Sequence, residues 1–209
     1  IFQDRTDAGE KLLPKLKQFK GRPNTVVLGL PRGGVVVASV IALGLNLPLD
    51  LVVPRKIGAP GDPEFAIGAI AEDGAEIIDK KIMAAYKISR DYIDQQIEIE
   101  KKEAARRLTI YRGKRPPLDL RGQTVILVDD GIATGYTMRA AVKSVRAKGA
   151  KKIVVAAPVT ARETLKKIQS EADEVIYLDA PIFFGAVGAF YKHFDQTTDE
   201  EVVTLMKMG

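Results

Sequence analysis

The sequence predicts an α/β fold, a doubly wound and mostly parallel sheet flanked by helices, with a helical insertion and a small hood. Its short, continuously apolar runs rich in β-branched residues are typical of strands buried on both faces of a parallel sheet. Several runs are followed by a glycine-containing loop and then by helical apolar spacing, which is the alternation expected of βαβ units. The composition, with 46% apolar and 28% charged residues among 209, is that of a globular protein.

The first elements are a short surface helix and a strand-loop-helix unit. Residues 4–20 carry apolar side chains at roughly helical spacing, and Pro14 predicts a kink or a late helix start. Residues 25–30 form the first candidate for a buried strand. After a glycine-rich loop, residues 35–43 have the pattern of an apolar helix that ends at Gly44.

The middle of the chain predicts a further strand, a hairpin and a long helix. Residues 50–54 are the strand, and the Gly- and Pro-rich residues 55–63 form a loop. Residues 65–71 and 76–78 predict two short strands joined by a Glu-Asp-Gly turn. Residues 89–111 predict the long helix, whose stripe we interpret as core packing or as a subunit contact. The stripe consists of Ile93, Ile97, Ala104, Leu108 and Tyr111.

The second half continues the alternation of strands and helices. Residues 124–128 are an apolar strand, and residues 138–149 have helical spacing. Two further strands, at residues 152–157 and 174–178, surround a helix at 161–169. In such sheets ligands bind at the carboxyl ends of the strands, which is where the glycine-rich loops fall.

An aromatic segment and a final helix from about Thr198 close the chain. The segment is either a hydrophobic cap or a hood wall on which a planar base could stack. It contains Phe183, Phe184, Phe190, Tyr191 and Phe194. We expect one domain over residues 1–209, with a hood and helical insertion at 57–117 and a C-terminal hood or cap segment at 180–209.

Composition excludes several kinds of site. Cysteine is absent, so disulfides, thiolate metal sites and thiol nucleophiles are excluded. The single histidine, His193, lies among aromatic residues, where a structural role is favoured over Ser-His-Asp catalysis. The net charge of +5 is compatible with a polyanionic small substrate or with nucleic acid. Polar residues interrupt the apolar stretch 35–53, and no secretory pattern opens the chain, so we expect a cytoplasmic enzyme without a membrane span.

The most informative stretch joins the strand at 124–128 to the helix that follows it. Asp129 and Asp130 stand where the strand ends, and a loop of small residues comes next. Such a loop leaves backbone N–H groups uncovered at the positive end of a helix, which suits a phosphate monoester, while the carboxylates can accept hydrogen bonds from sugar hydroxyls. A sugar phosphate could bind to both the loop and the carboxylates. The loop comprises Gly131, Ile132, Ala133, Thr134, Gly135, Tyr136 and Thr137.

Other interpretations of this stretch remain open. Paired aspartates after a strand also occur in phosphoryl-transfer and receiver domains, although neither requires the Thr-Gly-x-Thr turn. A structural strand-to-helix turn is a further alternative. The Gly-Lys-Ser/Thr of a P-loop and the Gly-x-Gly-x-x-Gly of a dinucleotide fold are both missing from the loop.

Residues 125–137 resemble the phosphoribosyl-pyrophosphate motif of the type I phosphoribosyltransferases. Four apolar residues, two acidic residues, a small-residue turn and a Thr-Gly pair carry the resemblance. It implies that the loop from Gly131 to Thr137 holds the ribose 5-phosphate. It also implies that Asp129 and Asp130 hold the 2- and 3-hydroxyls of the ribose.

The resemblance assigns roles to two further loops. Arg32, Gly33 and Gly34 would receive the pyrophosphate group, since glycine permits close backbone approach and arginine supplies a cation. An ordinary strand-to-helix turn and an RNA-binding Arg-Gly-Gly fragment are the alternatives. Arg55 and Lys56 match a basic dipeptide that meets the diphosphate and opens a mobile hood, although two cations before Gly and Pro also fit a solvated turn.

The function implied is a Mg²⁺-dependent transfer of the 5-phosphoribosyl group from phosphoribosyl pyrophosphate to a nitrogenous base, purine or pyrimidine-like, with release of pyrophosphate. Asp129 and Asp130 are the expected metal ligands, and with Arg32 the expected catalytic residues. The expected partners are the donor, pyrophosphate and a small-molecule base. Homodimers are usual in that family, and nucleic acid is not expected to bind.

The acceptor base stays open. In the 6-oxopurine branch of the family an aspartate commonly occupies the position of Ala133. The pattern here is closer to the adenine branch, but it lacks a full match to that branch's hood. The alternative function is a regulator that keeps the fold and binds a nucleotide or RNA without turnover.

Overall fold

The computed structural model describes residues 1–117 and 119–209, and its centre is a five-stranded sheet. The strands are β1 (Thr25–Gly29), β2 (Leu49–Leu51), β6 (Thr124–Val128), β7 (Lys152–Val159) and β8 (Glu174–Asp179). They stand in the order β2-β1-β6-β7-β8, and every neighbouring pair runs parallel. The predicted α/β class with a mostly parallel sheet is confirmed.

Helices cover both faces of this sheet. The helices are α1 (Arg5–Leu12), α2 (Gly33–Leu45), α5 (Tyr136–Ala147), α6 (Arg162–Glu171) and α7 (Asp199–Met208). Because side chains alternate along a strand, Ile126 packs into the core under α1, α2 and α7, and Leu127 packs into a second core under α5 and α6. The sheet is therefore doubly wound, as the apolar runs predicted.

A second, antiparallel sheet lies between β2 and β6 in the sequence. It consists of β3 (Arg55–Ala59), β4 (Asp62–Ile70) and β5 (Glu76–Ile78), and it is followed by helices α3 (Lys80–Ala85) and α4 (Arg90–Arg112). The predicted hairpin is confirmed as β4 and β5. The prediction of a loop over residues 55–63 was wrong, because 55–59 pair with β4 and bury Ile57 completely. Pairing with β4 overrides the weak strand propensity of a Lys-Ile-Gly-Ala run.

Two predicted helix boundaries differ in the structure. The N-terminal helix changes after Leu12 into a 3-10 segment, Leu13–Phe19, where Pro14 cannot donate an α-helical hydrogen bond. Gly44 does not end α2. The helix continues to Leu45 and stops at Asn46, which takes a left-handed conformation with φ of 54°.

The long helix α4 and the C-terminal helix α7 agree with their sequence patterns. Ser89 caps α4 by accepting the backbone N–H of Tyr92, and four of the five predicted stripe residues are buried. Thr198 and Glu201 form a reciprocal capping box at the start of α7. Across residues 1–117 and 119–209, every helix is too short or too polar to cross a lipid bilayer.

Candidate active site

The site lies at the carboxyl ends of β1 and β6, where the strand order reverses. Gly29 of β1 is level with Val128 of β6, and the backbone N–H of Leu30 donates to the carbonyl oxygen of Val128 at 3.0 Å. From β1 the chain continues to β2 on one side, and from β6 it continues to β7 on the other. A crevice opens at such a switch point, and both predicted glycine loops begin here.

Asp129 and Asp130 follow β6 directly into this crevice, and both are partly buried. Asp129 Oδ1 accepts the backbone N–H of Asp130 at 2.8 Å. Burial, and then the charge of Asp130, raise the pKa of Asp129 well above the ordinary carboxyl value. The carboxyl group of Asp129 is therefore held in a position where its charge is costly, as is common at ligand sites.

The loop after the acids is held open by contacts on its outer side. Ile132 donates its N–H to Val159 and accepts the N–H of Ala161 at 2.9 Å, so the loop is fixed to the end of β7. The hydroxyl of Thr164 donates to the carbonyl oxygen of Ala133 at 2.5 Å. These bonds turn the outer side of the loop away from the crevice.

The inner side of the loop offers donors. In the described part of the chain, the N–H groups of Ala133, Thr134 and Gly135 have no acceptor, and α5 begins at Tyr136. Gly135 has φ of 82°, which favours glycine, and it is the residue directly before α5. Unpaired amides at a helix N-terminus make a suitable cradle for an anion.

The other glycine loop touches the acidic pair. A Cβ atom built on Gly33 would lie less than 3.0 Å from Asp130 Oδ2, and one built on Gly34 would lie 2.8 Å from Asp129 Oδ1. Both positions thus have room only for glycine. The two loops, which are about a hundred residues apart in sequence, form one site.

The three predicted cations take different positions. Lys56 lines the cleft, and its Nζ lies 3.0 Å from Glu64 at the surface. Arg55 instead pairs with Glu100 of α4 at 2.8 Å, and Arg32 lies 3.6 Å from Asp199 of α7. Of the basic residues expected at the diphosphate, Lys56 is the one in the cleft.

The cleft has a volume of about 330 Å³. Its floor is the acidic pair and the loop that follows, and its walls come from two other parts of the chain. Lys56 and Ala66 belong to the antiparallel sheet, and Val187 and Phe194 belong to the aromatic segment. The whole lining is Lys56, Ala66, Asp129, Asp130, Gly131, Ile132, Ala133, Thr134, Gly135, Tyr136, Thr137, Met138, Val187 and Phe194.

Two residues at the site were missed by sequence reasoning. Arg5 donates to Asp130 Oδ2 at 2.9 Å, and the hydroxyl of Tyr191 donates to the carbonyl oxygen of Asp130 at 2.6 Å. Tyr191 was considered only as part of an aromatic wall. Nothing in the sequence around Arg5 indicates that it reaches a residue 125 positions away.

The acidic pair can offer a metal ion only a small number of ligands. No group of three or more His, Cys, Asp or Glu side chains that could hold a metal occurs in residues 1–117 and 119–209. Asp130 Oδ2 is bound by Arg5 and Asp129 Oδ1 by a backbone N–H, so few of the four carboxylate oxygens remain for a metal ion. This donor set fits Mg²⁺ that keeps several waters and takes its other ligands from substrate phosphates.

Comparisons with known proteins point to one family. The model of the phosphoribosyl transferase domain matches residues 3–192. Two Mycobacterium tuberculosis proteins named provisionally as phosphoribosyl transferases, from strains CDC 1551 / Oshkosh and H37Rv, are 42% identical over 206 residues. These matches cover 99% of this chain and 46% of each relative, so the chain spans about half the length of the curated relatives.

Two solved structures have a similar fold. The protein TT1426 from Thermus thermophilus is 41% identical with a TM-score of 0.80, and the match covers 98% of this chain and 97% of that one. A hypothetical protein from Neisseria gonorrhoeae, solved with bound ppGpp, has a TM-score of 0.52 and 13% identity, with 100% and 98% covered. The second likeness concerns the fold alone.

Proposed function

Since the chain belongs to the type I phosphoribosyltransferase family, we propose that it transfers the 5-phosphoribosyl group of phosphoribosyl pyrophosphate to a nitrogenous base and releases pyrophosphate. The observation that carries this proposal is that the acidic pair and the amide loop line one cleft, and that the Gly33-Gly34 loop lies in contact with the acidic pair. Phosphoribosyl pyrophosphate carries a phosphate, a diol and a diphosphate on one five-membered ring. Its binding site therefore needs three groups of residues, one for each, close together.

The ribose 5-phosphate is assigned to the amide loop. The N–H groups of Ala133, Thr134 and Gly135 and the exposed hydroxyl of Thr134 provide several donors at the start of α5. The helix dipole alone contributes only about 0.3–1 kcal/mol at an exposed site, so the direct hydrogen bonds supply most of the affinity. Asp129 and Asp130 stand next to them, where they can accept the ribose hydroxyls.

The diphosphate is assigned to the side of the cleft between Gly33-Gly34 and Lys56. The backbone of the Gly33-Gly34 loop lies against the acidic pair, and Lys56 provides a cation in the cleft. Arg32 can join them after leaving Asp199. Their ion pair is long, at 3.6 Å, and partly exposed, so releasing it costs little.

Asp129 or Asp130 would hold Mg²⁺, which would supply positive charge against the leaving diphosphate. The residues of the chain bind and orient the donor, and they keep water away from C1 of the ribose as positive charge develops there. Residues 57–117 and 180–209 would form the hood that provides this shielding. Its nearest parts are Ala66 on one side and Val187 with Phe194 on the other.

The acceptor base is assigned to the aromatic side of the cleft. Phe194 lines this side of the cleft, and the part of its ring that Arg5 does not cover can pack against a planar base. Ala133 provides no carboxylate near the base, so recognition of a base nitrogen by an acid at this position is not expected. A nitrogen nucleophile of the base would attack C1 from this side.

The test is release of pyrophosphate from phosphoribosyl pyrophosphate with Mg²⁺, assayed across a panel of purine and pyrimidine bases. We expect release that depends on one class of base. Release with no base of the panel, together with tight binding of the donor, would favour a regulator instead. Sedimentation of the same preparation tests the homodimer that is usual in the family.

One observation favours the second candidate, a non-catalytic nucleotide- or RNA-binding regulator. Arg5 already neutralises Asp130, one of the two acids that would hold the ribose. A protein that binds without turnover could keep such an internal ion pair. Turnover in the pyrophosphate assay separates the two candidates directly.

A further inference from the structure

Arg5, the first residue of α1, is fixed at the acidic pair by three contacts of different kinds. Its Nε donates to Asp130 Oδ2 at 2.9 Å, and its Nη1 donates to the carbonyl oxygen of Asp195 at 2.7 Å. Its Cζ lies 4.0 Å from the ring centroid of Phe194, so the cation also stacks on an aromatic face. The side chains of Arg5 and Asp130 are only 13% and 14% exposed, which distinguishes the pair from a mobile surface salt bridge.

The segment that carries Arg5 is fastened to the C-terminal aromatic segment. The N–H of Phe2 donates to the carbonyl oxygen of Phe190 at 2.8 Å, and the N–H of Lys192 donates back to Phe2 at 2.8 Å. Between them, the hydroxyl of Tyr191 donates to the backbone carbonyl oxygen of Asp130 at 2.6 Å. The two ends of the chain therefore hold Asp130 both by its backbone and, through Arg5, by its side chain.

This arrangement leaves one oxygen of Asp130 for a ligand. Oδ2 is bound by Arg5, Oδ1 has no donor in the described part of the chain, and Asp130 lines the cleft. Gly33 makes the pair possible, because a Cβ there would approach both Asp130 Oδ2 and Arg5 Nε. A carboxylate already held by one oxygen loses little conformational entropy when the other oxygen binds a hydroxyl.

We propose that Arg5 is a positioning residue, which by holding Asp130 Oδ2 presents Oδ1 to a hydroxyl of the bound sugar. The inference rests on the proposed function. It adds Arg5, a basic residue, to the two acidic residues that would hold the sugar. The opposite role, in which Arg5 blocks Asp130 and must leave before the sugar binds, would require breaking all three contacts of the guanidinium.

The test compares two sugar phosphates by calorimetric titration of the full chain. Ribose 5-phosphate carries both hydroxyls, and 2-deoxyribose 5-phosphate lacks one of them. The variants are Arg5→Ala and Arg5→Lys, and Lys11→Ala is the matched control. Lys11 lies on the same helix and pairs with Asp7 at the surface.

We expect Arg5→Ala to weaken ribose 5-phosphate binding about tenfold, as for the loss of one charge-assisted hydrogen bond. It should also lower the preference for the ribose form over the deoxyribose form. Arg5→Lys should recover part of that preference, because an ammonium can still donate to Asp130 but lacks the planar fork that also reaches Asp195 and stacks on Phe194. Lys11→Ala should leave both affinities as in the wild type.

Thermal melting of each variant separates loss of folding from loss of positioning, and Arg5→Lys carries the test where Arg5→Ala does not fold. An unchanged ribose preference in the folded Arg5 variants, or a gain in affinity, would overturn the role of Arg5 while leaving the proposed function intact. Failure of the wild-type protein to bind either sugar phosphate would overturn both.

Discussion

Gly33 lies directly against Asp130, so close that a Cβ on Gly33 would come within 3.0 Å of the carboxylate oxygen Oδ2. The contact joins the loop after β1 to the loop after β6 across the switch point of the sheet. Since the glycine touches the carboxylate to which we assign the ribose, the need for glycine at position 33 belongs to the proposed site as well as to the turn.

Gly33→Ala tests this contact. The added methyl group must displace either Asp130 or Arg5, which should cost about 1–3 kcal/mol of unfolding free energy, as overpacking usually does. Donor affinity should fall as well, because the displaced carboxylate no longer faces the ribose. Urea unfolding and calorimetry measure the two effects, and wild-type values for both would show that the two loops are not in contact.

Gly135→Ala tests the amide loop. Its positive φ costs an alanine roughly 1–2 kcal/mol, and the new Cβ would also press on the side chain of Thr164. Gly122 is the matched control, since it has φ of 72° and nothing within 4 Å of the added Cβ. We expect Gly122→Ala to show only the backbone cost, and Gly135→Ala to be less stable and to bind phosphate ligands more weakly. Equal effects in the two variants would show that the contact with Thr164 does not matter.

Lys56→Ala should affect ligand binding, whereas Arg55→Ala should affect the stability of the fold. Lys56 lines the cleft and its ion pair with Glu64 is exposed, so its loss should weaken pyrophosphate binding about tenfold with little change in stability. Arg55 pairs with Glu100 below the antiparallel sheet, so its loss should lower the unfolding free energy by about 1 kcal/mol. Pyrophosphate titration and urea unfolding check both, and a larger loss of pyrophosphate affinity in Arg55→Ala would reverse the assignment.

Asp129→Asn should stabilise the fold at neutral and alkaline pH while impairing the site. Burial, and then the charge of Asp130, raise the pKa of Asp129 in the folded protein above its pKa in the unfolded chain. The contribution of Asp129 to stability is therefore present below the unfolded pKa, and it is lost as the pH rises through the folded pKa. The asparagine avoids that loss, and its advantage in urea unfolding should be larger at pH 8 than near pH 4. An advantage that grows toward acid pH would contradict the raised pKa.

The sequence was sufficient to predict the unit of β6, the acidic pair and α5, but not the elements that surround this unit. The β6 strand, its acids and the following helix are contiguous, so their pattern can be recognised without knowing any distant contact. The strand β3 is visible only through its pairing with β4. Had residues 55–59 been predicted as a strand, the alternation of side chains would have separated Arg55 from Lys56.

Arg5 and Tyr191 show a different limit. They reach Asp130 from positions 125 and 61 residues away, and neither lies in a recognisable motif. Their role depends on the pairing of the two chain ends around Phe2, which is a tertiary contact. Local patterns predict which backbone cradles a ligand, but not which distant side chains support it.

Calorimetric titration with phosphoribosyl pyrophosphate and Mg²⁺ tests the central claim most directly, using the wild type, Asp130→Asn and Thr134→Val. We predict that both substitutions weaken binding of the donor, because in the proposed complex Asp130 accepts a ribose hydroxyl and the Thr134 hydroxyl donates to the 5-phosphate. Wild-type donor affinity in both variants would contradict this claim.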